Sequence, residues 1–298
     1  MGLWKEVRAI SFKQLEVKNL KFTHSAIKPH PKSIDCELSF SMLFLDPKGH
    51  YEVKIEAKKG EISLYQEVLD IKSTASAELD VPFTLNSHLE EIIWWTWDLG
   101  NPSLIDISVQ VRNRDEESHQ VTAYLRTGIR TIKVDQTTSK ATNGTSFTFN
   151  LNGYDVYMRG GNYIPPEMSL ARTNKQTYAQ IREYAEFGRF NMIRVWGGGQ
   201  FEKNEFYSMM DEAGILIWHD LMFACALYPS SELIMSSIEQ EMRDNVRRVR
   251  HHPSIGLWNG NNEVWIGWKE WGWQDDLDSQ QKQLVEDMYK DIFQVVLP

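Results

Sequence analysis

The segment Trp258-Asn259-Gly260-Asn261-Asn262-Glu263 places one carboxylic acid directly behind two side-chain amides. A carboxyl so placed can hand a proton to a leaving oxygen, provided its surroundings favour the protonated form. The next residues, Val264-Trp265-Ile266-Gly267-Trp268-Lys269-Glu270-Trp271-Gly272-Trp273, offer four indoles. Aromatic walls disfavour the charged form of a carboxyl, which suits a general acid. The competing reading of Glu263 is a surface carboxylate in a polar loop, and residue types alone leave both open.

Three further groups could support such chemistry. Arg194-Val195-Trp196-Gly197-Gly198-Gly199 brings a cation and an indole ahead of three glycines. The glycines lack the Lys-Ser/Thr of a P-loop and the wider spacing of a dinucleotide site, so a phosphate cradle is disfavoured. His219-Asp220 and Asn162 each close a short apolar run. Asp220 reads either as a structural partner for Arg194 or as part of a ligand subsite. Cys225, in Phe223-Ala224-Cys225-Ala226-Leu227-Tyr228-Pro229, has no base beside it and reads as a small packing residue.

The elements that must hold these residues follow from periodicity. Over 1–135 the pattern is period two: Ile34, Cys36, Leu38, Phe40, Met42 and Phe44 alternate, as do Tyr51-Val53-Ile55, Ile105-Ile107-Val109-Val111 and Val121-Ala123-Leu125. Turn signals separate the runs at Asp46-Pro47-Lys48-Gly49, Lys59-Gly60, Gly100-Asn101-Pro102 and Asn113-Arg114-Asp115. The expectation is an immunoglobulin-like antiparallel β-sandwich with no helix and a structural role. Residues 136–146 are small and polar and read as a linker.

From 147 to 298 the period changes. Strands are expected at Val156–Arg159, Met192–Trp196, Ile215–Trp218 and Ile255–Asn259, each followed by a helix. The first helix opens at Thr173 with Gln176 three residues on, and Gly188 stops it. The third carries Leu233, Ile234, Ile238, Met242, Val246 and Val249 on one face. Strand–helix repeated four times implies a parallel sheet with chemistry at the C-terminal strand ends, as in a (β/α)8 TIM barrel. Four units are half a barrel, whose full length is typically about 250 residues.

Composition narrows the function classes. The 298 residues hold 32 Lys+Arg against 41 Asp+Glu, a net charge of −9 that gives no basis for binding a phosphate backbone. No apolar run reaches the roughly 18 residues of a membrane span. The opening Met1-Gly2-Leu3-Trp4-Lys5-Glu6 lacks a signal-peptide pattern, and Cys36 and Cys225 read as free thiols. Aromatic residues reach 12%, with 11 Trp, five of them at 258, 265, 268, 271 and 273. Such rings serve cores and sugar clefts alike.

Gly161-Asn162-Tyr163-Ile164-Pro165, Asn191–Gly199, Ile217–Asp220 with Phe223–Pro229, and Trp258–Glu263 together resemble glycoside hydrolase family 2, most of all its β-mannosidase branch. The resemblance covers 147–298. The first half is more loosely similar to the family's immunoglobulin-like middle domain, through Trp94-Trp95-Thr96-Trp97 and Leu99-Gly100-Asn101-Pro102-Ser103-Leu104. It implies a retaining exo-β-glycosidase acting on an oligosaccharide or β-glycoside, without cofactor or metal. Glu263 would be the acid/base, and Asn262 would contact the sugar beside the scissile bond. Arg194, Trp196 and Asp220 would line the terminal-sugar subsite, with Asn162 nearby.

Two departures qualify what is carried over. Family members begin with a jelly-roll sugar-binding domain, and their nucleophile is a second Glu at the end of the seventh strand, which no residue here matches. The expectation is a chain that is inactive alone, with Glu202, Glu205 and Glu270 as formal stand-ins for the nucleophile. Another family specificity (β-galactosidase, exo-β-glucosaminidase, β-glucuronidase) and a non-catalytic carbohydrate-binding module are the alternatives. Uncovered half-barrel edges would favour self-association.

Overall fold

The computed structural model describes residues 7, 15–44, 49–72, 76–115, 120–138, 143–167 and 169–297. The chain divides into two compact units: Met1–Met158 with Asp211–Gly214 and His251–Pro253, and Arg159–Met210 with Ile215–Arg250 and Ser254–Pro298.

In the first unit, β1 (Leu15–His24), β2 (Ile34–Phe44) and β5 (Ser76–Leu85) form one antiparallel sheet in the order β1-β2-β5. A second antiparallel sheet runs β4 (Ile62–Lys72), β3 (His50–Lys59), β6 (Ile105–Asn113), β7 (Gln120–Thr127). One core serves both. Ile34, Leu38 and Met42 of β2 pack with Val53 and Ile55 of β3, Val81 and Leu85 of β5, and Val109 and Val111 of β6. These are the alternating apolar positions, so the period-two pattern reports directly which face is dry. The strands that the pattern leaves unnamed (β1, β4 and β5) all lie at sheet edges, where alternation is weaker. Pro82 sits in edge strand β5, which tolerates a missing ladder donor.

Gly60 takes the left-handed turn between β3 and β4, φ +56°, as expected. The expected turn at Asp46-Pro47-Lys48 lies outside the described residues. One short helix, α1 (Leu89–Ile92), interrupts a half expected to hold none.

The stretch expected as a linker falls between β8 (Ile132–Asp135) and β9 (Thr148–Leu151), which pair antiparallel, and its residues Thr138 and Thr145 form a bridge. A third strand, β10 (Tyr154–Val156), pairs back on β9 through Asn152-Gly153, both at positive φ (53° and 93°). Asn-Gly is the preferred two-residue hairpin turn. That hairpin belongs to the first compact unit, which includes Met1–Met158.

The second unit holds four parallel strands in sequence order: β11 (Gly160–Tyr163), β12 (Met192–Val195), β13 (Leu216–Asp220) and β14 (Ile255–Asn259). The first strand begins at Gly160, not Val156. A Cβ at Gly160 would stand 1.7 Å from the Met192 carbonyl oxygen, so only glycine fits there.

Helix α2 (Lys175–Phe187) is capped by Asn174, whose Oδ1 accepts from the N–H groups of Gln176 and Thr177, with Thr177 closing the box. The expected Thr173 is displaced by one residue. Gly188 ends the helix in right-handed geometry, and Arg189 takes the positive φ instead. Helix α3 (Asn204–Ala213) stops at left-handed Gly214. Helix α4 (Glu232–Val249) buries Ile238, Met242 and Val249, whereas Leu233, expected on that face, is 81% exposed. After β14 the chain forms α5 (Val264–Glu270) and α6 (Ser279–Lys290), the latter running into a π-turn at Asp291–Val296. The tryptophan-rich stretch is therefore partly helical rather than a loop.

Candidate active site

Parallel pairing aligns the strand ends. Asn162 is in register with Arg194, and Asp220 with Asn259. The side chains that face one another there form a continuous string.

Asp220 is its anchor. The residue is fully buried and accepts from Arg194 Nη2 (2.6 Å) and Nε (3.2 Å), the Gly197 backbone N–H (3.1 Å), Trp218 Nε1 (3.1 Å) and Asn259 Nδ2 (2.9 Å). A carboxylate offers about four lone-pair sites. Five donors therefore occupy its capacity, which favours the structural reading of Asp220 over direct ligand contact. The pairing with Arg194 is bidentate, the geometry in which a guanidinium is most firmly held.

Arg194 passes the order onward. Its Nη2 also donates to Asn262 Oδ1 at 2.7 Å, and Nη1 makes a longer contact to Asn162 Oδ1 at 3.4 Å. Asn262 is buried and donates through Nδ2 to Glu263 Oε2 (2.9 Å) and to Cys225 Sγ (3.3 Å). Glu263 is exposed at the N-cap of α5, with left-handed backbone (φ 59°). Five of the six residues singled out from sequence (Asn162, Arg194, Asp220, Asn262 and Glu263) thus belong to one network. Trp196 stands beside it, half-buried, its ring folded over Gly198 so that a Cβ there would lie 2.0 Å away.

The four indoles after Glu263 have partners of their own. Trp268 is buried and donates to Glu286 of α6 at 3.1 Å, while Trp265 packs on Tyr289 of α6 with ring centres 4.8 Å apart. Trp271 and Trp273 stack edge-on against each other. The helical spacing of 265 and 268 puts both on the face that meets α6.

The stand-in nucleophiles are also accounted for. Glu202 is buried and receives Tyr163 Oη (2.9 Å), Tyr178 Oη (2.6 Å) and Gln200 Nε2 (3.3 and 3.2 Å). Burial, then the Glu202 carboxylate, pushes both tyrosines well above the usual phenol range, so they stay protonated donors. Glu205 and Glu270 are exposed on α3 and α5. Among the described residues, no group of three or more His, Cys, Asp or Glu could hold a metal ion.

Sequence reasoning named His219 beside Asp220 and Asn259 ahead of Glu263 but gave them, and Trp218, no role of their own. His219 is buried, with Nδ1 2.7 Å from the Asp220 carbonyl and Nε2 2.9 Å from Tyr207 Oη. A carbonyl can only accept, so Nδ1 carries the hydrogen and Nε2 accepts from Tyr207. Burial holds the ring at a pKa of about 4, and hence neutral. The signal for Trp218 and Asn259 was their position at or beside strand ends in the same layer as Asp220.

No family model matches the chain. Beta-mannosidase B of Emericella nidulans is 40% identical over 263 residues, covering 88% of this chain and 30% of the relative. Beta-mannosidase B of Aspergillus niger is 35% identical over 269 residues, again 88% of this chain and 30% of the relative. Over most of its length the chain is similar to these beta-mannosidases, in line with its motif resemblance to glycoside hydrolase family 2.

This β-mannosidase-like chain thus spans less than a third of the length of the curated relatives it matches. Among solved structures, the β-D-mannosidase of Dictyoglomus thermophilum matches in fold with a TM-score of 0.80 at 24% identity, over 96% of this chain and 34% of that one. A β-glucuronidase of Parabacteroides merdae gives 0.68 at 15% identity, over 84% of this chain and 29% of its own.

Proposed function

We propose that the β-mannosidase-like chain carries the acid/base half of a retaining exo-β-glycosidase site. In this reading the four parallel strands are the first half of a (β/α)8 barrel, and the two-sheet unit is an immunoglobulin-like sandwich. Glu263 protonates the leaving glycosidic oxygen and later draws a proton from water. Asn262, Arg194, Trp196 and Asn162 line the terminal-sugar subsite, and Asp220 holds Arg194 in place. The observation that carries the reading is the unbroken string Asp220–Arg194–Asn262–Glu263 at the strand ends.

Retaining hydrolysis requires a second carboxyl roughly 5–5.5 Å from the first. Glu202 is saturated by its own donors, and Glu205 and Glu270 are helix-surface residues. The chain by itself therefore binds rather than turns over. A terminal β-mannoside is the substrate proposed on the strength of the relatives' names. The test is incubation with aryl β-mannoside, β-galactoside, β-glucosaminide and β-glucuronide, paired with calorimetric titration of the free sugars. Turnover of any of them by these 298 residues alone would overturn the assignment of a single carboxyl.

The saturation of Glu202 by its own donors favours one reading of a different class, a sugar-binding module without hydrolysis. Mannose binding that survives Glu263→Ala, with no hydrolysis in any longer form, would select it. The outer edges of β11 and β14 are proposed to support self-association, which light scattering across a concentration series would detect.

A further inference from the structure

The loop after β13 and the loop after β14 are tied together as a short parallel ladder. Asn262 N–H donates to the Phe223 carbonyl (2.8 Å), Cys225 N–H donates to the Asn262 carbonyl (3.1 Å), and Ala224 bridges Asn262. Both residues that this ladder presents have left-handed backbone, Cys225 at φ 45° and Glu263 at φ 59°. Neither is glycine, so each conformation is strained and held by its surroundings. The result brings Cys225 Sγ to 3.6 Å from Glu263 Oε2, across 38 residues of sequence. The sequence-based reading of Cys225 as packing does not fit, because the residue is exposed.

We propose that Cys225 is a positioning residue for Glu263, its thiol donating to Oε2 and fixing the carboxyl together with Asn262. With the Glu263 carboxyl ionised, the hydrogen bonds have one consistent direction. One Nδ2 hydrogen of Asn262 goes to Sγ and the other to Oε2, and the S–H goes to Oε2. Two donors converge on Oε2, so a proton on the acid sits on Oε1, and Oε1 is the oxygen that delivers it. The inference rests on the proposed role of Glu263 for its meaning, while its contacts can be tested without hydrolysis.

Two measurements on the whole chain decide it. The infrared S–H band of Cys225 is isolated as the difference between the wild-type protein and Cys225→Ser, in which Cys36 cancels. Donation to the carboxyl lowers and intensifies this band, and Glu263→Ala returns it to the free-thiol position. The carbon-13 carboxyl resonance of Glu263 shifts in Cys225→Ala and returns toward the wild-type value in Cys225→Ser, which keeps a donor. Asn262→Ala serves as a second probe, and near-ultraviolet circular dichroism checks the fold of each variant. An S–H band indifferent to Glu263→Ala, or a carboxyl resonance indifferent to Cys225→Ala, overturns the proposal. Failure of the acid/base reading would show instead in leaving-group dependence and would leave both spectra as expected.

Discussion

Arg194 Nη2 lies 2.7 Å from Asn262 Oδ1, and that contact determines which way the Asn262 amide faces. A guanidinium can only donate, so the amide must turn its oxygen to Arg194 and its nitrogen to Glu263 and Cys225. The orientation of the acid is thereby set by a cation that does not touch it. Arg194 is fixed in turn by the bidentate grip of Asp220.

Asp220 should then be a residue the second unit cannot lose. Asp220→Asn keeps the volume but sets an amide N–H against the donors around it and leaves Arg194 without its counter-charge. Breaking a buried pair of this kind costs about 3–5 kcal/mol. Urea denaturation followed by tryptophan fluorescence should register that loss, whereas Glu205→Gln on exposed α3 should stay within about 0.5 kcal/mol. A loss below about 1 kcal/mol for Asp220→Asn would mean the string is not rigid.

His219 gives the chain a pH dependence of known sign. Its folded pKa is about 4, against 6.5 for a free imidazole. Between those values the unfolded chain binds more protons, so stability rises with pH over that window and falls as pH drops from 6.5 toward 4. Full depression of this size is worth roughly 3 kcal/mol. Comparing the wild-type protein with His219→Gln at pH 7.5, 6, 5 and 4.5 should remove that component of the slope. Parallel curves for the two proteins would contradict it.

The two thiols should separate cleanly. Cys36 is buried, and burial pushes its thiol up to about 12, whereas Cys225 is exposed. A disulfide reagent near pH 8 should label one thiol in the native chain and the second only in denaturant. Peptide mapping should put the first label on Cys225; rapid labelling of Cys36 would show that the β2 core opens.

Gly197→Ala should act at a distance. Its Cβ would fall 2.6 Å from the Phe223 carbonyl oxygen and 2.8 Å from that of Leu221. Backbone has to move, and the loop that moves carries Cys225. The expected outcome is destabilisation of about 1–3 kcal/mol with faster labelling of Cys225. Unchanged labelling would indicate that the loop adapts without moving the thiol.

For Glu263 itself the diagnostic is selectivity. Within a longer form that supplies the second carboxyl, Glu263→Ala should nearly abolish hydrolysis of substrates with poor leaving groups. Activated aryl glycosides, which need little protonation to depart, should lose far less. Equal losses on both classes would remove the acid/base assignment.

Much of this architecture is legible in the sequence because it is periodic. The buried face of β2 and the repeat of β12 to β14 with their helices follow from spacing alone, whereas β11 lies just past the expected Val156–Arg159. The β8–β10 hairpins were missed for want of length, although Asn152-Gly153 marked one of them. The tryptophan run was misplaced because composition says how many rings there are and not which side of a helix they take. Asp220's saturation and the Cys225–Glu263 contact depend on neighbours tens of residues away, which periodicity does not encode.

Glu263's left-handed backbone has a consequence for how this segment changes under selection. Glycine at that position would relieve the strain, and asparagine would bear it more easily; either would tend to make the fold more stable while deleting the acid. A library sorted for thermal resistance alone should therefore drift away from glutamate at position 263. On the proposed acid/base role, a library of a longer form sorted for glycoside cleavage should retain it and accumulate its compensating changes elsewhere.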